Sequence, residues 1–152
     1  ALDGEKRPVA SLTSNIGQLI GTGLLDADEE RSIAALVLSD RLSSGLGVRT
    51  LSNDEAGYWR LSYHCGTVWP HDTAVIIEGM LAAGLSDEAA TLAAQLLDAA
   101  ERFGFRMPEL YSGDVEAVAY PSSCQPQAWS AASAFVVARA LAQQCAVVAD
   151  HA

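Results

Sequence analysis

The chain has 152 residues, half of them apolar or aromatic and 18% charged, with a net charge of −10 at pH 7. That length suffices for one domain, residues 1–152, with a buried core, and no run of about twenty apolar residues suggests a membrane span. The acidic excess repels phosphate backbones and anionic lipid, so neither nucleic acid nor a membrane is expected as a partner.

The chain opens ALDGEKRP without an initiator methionine, which reads as a piece of something longer. Thr13 or Ser14 is placed to cap a first helix over NIGQLIGTGLL, where Ile16, Leu19, Ile20 and Leu24 recur at helical spacing and Gly21 and Gly23 weaken the end. Asp26 or Asp28 caps a second, EERSIAALVLSDRL, whose early Glu29 and Glu30 favour the positive end of a helix dipole. These two predict a helical hairpin. From Ser43 to Pro70 the helical period vanishes, leaving short extended pieces such as GVRTL. Pro70 is acceptable in a first turn, and HDTAVIIEGMLAAG ends on Gly84, a good left-handed cap. Ser86 is predicted to cap the next helix, with Leu92, Leu96, Ala99 and Phe103 on one face. A second irregular stretch, GFRMPELYSGDVEAVAYPSSCQ, leads to a last helix from about Pro126 to Ala146.

Five helices predict an all-α fold of antiparallel hairpins. Connections of roughly twenty residues are uncommon in compact domains and usually carry function. Two such connections at alternate junctions would emerge at the same end, forming one rim. Alanine-rich faces such as EAATLAAQLLDAA allow close helix approach.

The rim holds the chemistry. His64, Cys65 and His71 are ligand types, but their spacing fits no closed zinc site, so they read as structural or hydrogen-bonding groups and no metal is expected. Cys65, Cys124 and Cys145, an odd number at irregular spacing, read as reduced thiols of a cytoplasmic protein and as small buried hydrophobes. Glu109 sits in RMPELYSG among apolar and aromatic residues, where partial desolvation favours general-base work; pairing with Arg106 or Arg49 is the structural alternative. The tryptophans 59, 69 and 129 and tyrosines 58, 63, 111 and 120 fall in or near the irregular segments, able either to stack on sugar or to fill the rim.

Four motifs in order, SGLGVRTLS (Ser44 to Ser52), YHCGTVWPHD (Tyr63 to Asp72), RMPELYSG (Arg106 to Gly113) and YPSSCQPQAW (Tyr120 to Trp129), resemble the C-terminal part of glycogen-debranching-enzyme-like, amylo-α-1,6-glucosidase-type glycoside hydrolases. The resemblance runs from about Leu2 to Phe135. It implies a partial (α/α)6 toroid, a six-hairpin glycosidase fold of twelve helices in two rings, of which this chain would be a C-terminal segment. It further implies inverting hydrolysis of α-glucosidic links, at an α-1,6 branch or terminal glucose, without a cofactor. Glu109 then matches the general base, and Arg49, Trp69, His71, Asp72, Gln127 and Trp129 match the sugar pocket. Two departures stand out: Leu46 replaces a common tryptophan platform, and Cys65 a common asparagine. The general acid would lie N-terminal to these residues, so the partners expected are an oligosaccharide or α-glucan and the N-terminal part of the same enzyme. Apolar faces left open by the missing helices predict self-association. A non-catalytic carbohydrate-binding or assembly segment, or a toroid enzyme of epimerase or lyase type, are the competing readings.

Overall fold

The computed structural model describes residues 2–150, with side chains through residue 146. The all-α expectation holds: a 3₁₀ helix, Ser14–Leu19, precedes four α-helices, α1 (Ala27–Leu38), α2 (Pro70–Ala82), α3 (Ser86–Arg102) and α4 (Ala128–Asp150).

Local chemistry explains most boundaries. Asp26 accepts from the backbone N–H groups of Asp28 and Glu29 while Glu29 reaches back to the Asp26 N–H, a capping box that starts α1. The helix stops at Ser39, earlier than its apolar pattern predicts, because the chain turns there to bring Leu42 into the core. Pro70 fills the first turn of α2, and Gly84 (φ +76) takes the left-handed conformation expected after it.

Two expectations need correction. The first predicted helix is 3₁₀, not α, and ends at Leu19; Ile20 is already extended, Gly21 and Gly23 have positive φ, and Thr13 makes no side-chain cap bond. Ser86 lies inside α3, and Leu85 precedes the helix without capping it, so that terminus rests on Asp87 and Glu88 against the dipole.

α2 is the hub, packing on the 3₁₀ segment, α3 and α4. Its Ile76, Ile77 and Met80 are fully buried with Val37, Leu42, Leu92 and Leu96 in the main core, and Ala34, Ala89, Ala93 and Ala140 fill the gaps between helices. A Cβ on Gly79 would lie 2.4 Å from the Ile20 carbonyl oxygen, so α2 can meet the end of the 3₁₀ segment there only with glycine.

A second apolar cluster, Leu46, Val68, Ala99, Met107, Tyr111 and Ala117, with Phe103 against it, sits beneath the two long connections. Single antiparallel bridges fold each connection on itself, Arg49 to Val68 in the first and Tyr111 to Ala119 in the second, and Val68 to Tyr111 zips the two together; among the described residues no pairing grows into a longer strand. Backbone bonds reinforce the seam, with Val68 and Tyr111 exchanging N–H donors at 2.9 and 3.0 Å. Both connections thereby form one rim over the start of α2.

Candidate active site

Trp69 is the last extended residue before α2 (φ −112, ψ 115). Its indole N–H donates to the Tyr63 carbonyl at 3.0 Å and the Thr67 hydroxyl at 3.2 Å, which fixes the ring against the loop that precedes it. Tyr63 meets Trp69 edge-on with centroids 4.8 Å apart, and His64 stacks nearly parallel to the indole at 5.6 Å. His71, in the first turn of α2, lies edge-on between Trp69 at 5.6 Å and Trp129 at 4.8 Å. Tyr120 closes the row against Tyr63 at 5.5 Å. Tyr120, Tyr63, Trp69, His71 and Trp129 thus form a continuous aromatic wall drawn from both connections and the first turns of α2 and α4.

A cavity of about 340 Å³ opens beside this wall, bordered by His64, Trp69, His71, Asp72 and Trp129, with Thr13 to Asn15 and Thr50 on its polar side. Asp72, in the first turn of α2 where the dipole favours a carboxylate, accepts from the Gln18 side-chain amide. The Nδ1 atom of His71 is buried without a hydrogen-bond partner among the described residues.

Glu109 stands at the far end of the wall, half-buried, its N–H donating to the Cys124 carbonyl at 2.9 Å. Its carboxylate accepts from the Tyr63 hydroxyl at 3.0 Å, and neither Arg106 nor Arg49 pairs with it among the described residues. That hydrogen bond, then partial burial, raises the Tyr63 phenol above its ordinary range. Neither Glu109 nor Tyr63 borders the 340 Å³ cavity; Glu109 is linked to the wall through Tyr63, which packs edge-on against the cavity-lining Trp69.

Trp69, His71, Asp72 and Trp129 come together as predicted site residues, while Arg49 and Gln127 do not border the cavity. Arg49 is buried; its Nε donates to the Gly113 carbonyl at 2.6 Å and its Nη1 to the carbonyls of Asp40 (3.0 Å) and Ser43. The guanidinium therefore ties the turn after α1 to the second connection through three carbonyls, a use that its rigid fork allows and a lysine would not. Gln127 accepts from the Ser130 N–H at 2.9 Å and so caps α4.

One further expectation changes, and two side chains find their place in the core. All three cysteines are exposed rather than buried. Leu46, which stands where the resembling family commonly has a tryptophan, is buried in the cluster beneath the rim and offers no platform there. Tyr111 also fills that core, its hydroxyl donating to the Leu46 carbonyl, and burial drives its phenol far up. Sequence reading missed Tyr63 and His64 as site residues, although both stand in the YHCGTVWPHD motif; the spacing of two aromatic rings ahead of Trp69 was the available signal.

Among the described residues no group of three or more histidine, cysteine or acidic side chains is close enough to hold a metal ion, and no helix is long and apolar enough to cross a membrane.

The fold recurs in known structures. The GH63 mannosylglycerate hydrolase from Thermus thermophilus, solved with glucose, matches 88% of this chain at a TM-score of 0.73 and 21% identity; the same enzyme with Tris matches 88% at 0.70 and 20% identity. An uncharacterized conserved protein from that organism matches 88% at 0.72 and 21% identity. The chain spans only 30–33% of the length of these proteins. The likeness shows the fold, an all-α glycosidase-like arrangement. Residues 8–112 match the mannosylglycerate hydrolase MGH1-like glycoside hydrolase domain, and the chain belongs to that family. No match is found among the curated proteins. The matched residues include Arg49, Trp69, His71, Asp72 and Glu109 but stop short of Gln127 and Trp129. The glycoside hydrolase class expected from the motifs is thereby established; the match carries no preference for glycogen branch points.

Proposed function

We propose that this chain builds one side of the active site of an inverting glycoside hydrolase, with Glu109 as the general base that activates water and Trp69, His71, Asp72 and Trp129 as the sugar-binding wall. The supporting observation is the Tyr63 bridge: one side chain touches the Trp69 indole and, 46 residues further along the chain, the Glu109 carboxylate. A sugar ring stacked on the indole would present its anomeric carbon toward a water held by Glu109, while Asp72 accepts from sugar hydroxyls. Inversion also needs a general acid roughly 6.5–9.5 Å from the base. We assign it to the N-terminal part of a larger (α/α)6 catalytic domain, of which residues 1–152 form a C-terminal segment acting in the cytoplasm.

The substrate class is an α-glucosidic oligosaccharide or α-glucan, cleaved at an α-1,6 branch or a terminal glucose. Mannosylglycerate, named for the Thermus hydrolase, is the second candidate, since the family match points to it. Phe135, Trp129 and Val75 project exposed apolar surface from α2 and α4, which favours self-association of the isolated chain; light scattering of the purified chain checks this.

Glu109→Gln in the complete enzyme tests the base. Turnover should fall by about 10²- to 10⁴-fold with sugar affinity retained. Unchanged turnover would remove Glu109 from the role and leave a carbohydrate-binding surface.

A further inference from the structure

We propose that Tyr63 is a positioning residue for the Glu109 carboxylate, holding one of its oxygens so that the other faces the attacking water. This rests on the reading of Glu109 as the base.

The donor is held at both ends. Its ring is wedged edge-on against His64 at 4.7 Å, Trp69 at 4.8 Å and Tyr120 at 5.5 Å. Its carbonyl accepts from the Trp69 indole and from the Thr67 hydroxyl, each at 3.0 Å. The hydroxyl then reaches Oε1 of Glu109 at 3.0 Å. On the other side, the Glu109 backbone is anchored through the Cys124 carbonyl and between buried Pro108 and Leu110, so the carboxylate swings only about its own side-chain bonds. Among the described residues no second hydrogen bond reaches that carboxylate, which leaves Oε2 for water. A donor locked before substrate arrives needs no reorganisation during the reaction, and loss of such positioning slows the chemical step more than binding. The groups facing the Tyr63 hydroxyl are Glu109, Tyr120 and Cys124, with His64 against its ring. Only Glu109 takes its proton in a hydrogen bond.

Tyr63→Phe keeps the ring and removes the hydroxyl. With the complete enzyme acting on mannosylglycerate or isomaltose, kcat should fall about tenfold while KM stays within about twofold, and the substitution should add nothing in a Glu109→Gln background. An unchanged kcat in Tyr63→Phe, with Glu109→Gln still inactive, would overturn the positioning role and leave the base reading standing. An active Glu109→Gln would remove the base reading and this proposal with it. A second readout needs neither turnover nor a Tyr63 variant: the NMR titration midpoint of the Tyr63 ring carbon should drop in Glu109→Gln, and a midpoint that does not move would show that the contact is not formed in solution.

Discussion

The helical layer and the rim are held by opposite kinds of force. In the layer, Ile76, Ile77, Met80 and Leu92 exclude water completely and small alanines set the helix spacing, so stability there follows buried apolar area. The rim has a small apolar cluster of its own but takes its shape from single backbone bridges, from Arg49 on three carbonyls and from close glycine contacts. A surface built from directed bonds places side chains at fixed positions without closing over them. That suits a site that must stay open to a sugar.

Substitutions can separate the two. The largest loss of stability is expected in the layer: Leu92→Ala removes a fully buried side chain and should cost about 3 kcal/mol in urea denaturation, lowering activity only through the unfolded fraction. Gly113→Ala strikes the rim instead. A Cβ there would lie 1.8 Å from the Gly66 carbonyl oxygen, so the two connections must part, at a cost of about 2–3 kcal/mol, and the aromatic wall should lose its tryptophan fluorescence signature with it.

Arg49→Lys sharpens the contrast, because its expected role moved from pocket to scaffold. Loss of the fork should cost about 2 kcal/mol of stability and leave sugar affinity in the folded fraction unchanged; a selective loss of affinity would return Arg49 to the pocket.

The smallest effect concerns pH. Burial pushes the Asp114 carboxyl up, but hydrogen bonds from Arg60 and Ser112 outweigh it, so its folded value lies below the ordinary one. A depressed carboxylate adds stability above its unfolded pKa of about 3.9 and loses it as pH falls through the folded value. Asp114→Asn should therefore flatten the acid limb of the stability profile below about pH 4, by a small amount because the pair is partly solvated. An unaltered acid limb would mean that this tie across the rim contributes nothing.

Much of the layer was legible beforehand. The Asp26 and Glu29 pair, Pro70 and Gly84 each act within one turn of their own position, and the Leu92, Leu96, Ala99 face buries as its spacing predicts. The failures arise from contacts further away. The first helix collapses to 3₁₀ because Ile20 must run extended to let Gly21 and Gly79 meet, a tertiary contact that overrides helical periodicity. The cysteines were placed by average burial, and the fold turns all three outward.

The candidate site was half legible. Trp69, His71 and Asp72 are neighbours in sequence at a helix start, so their convergence follows from helical geometry alone. Glu109 joins them through the pairing of Val68 with Tyr111, a backbone exchange that any residue types could make and that leaves no mark on composition, and Trp129 through the packing of α4 on α2.

The amino-acid sequence by itself determined where helices begin, which faces are apolar and which chemically able residues sit outside them, since those properties depend on neighbours within a few positions. Only the tertiary structure decided that Glu109 takes a tyrosine rather than an arginine as its partner and that Arg49 supports the rim from beneath. Such pairings depend on distances across the fold, and those are set by how the two connections zip over the shared core.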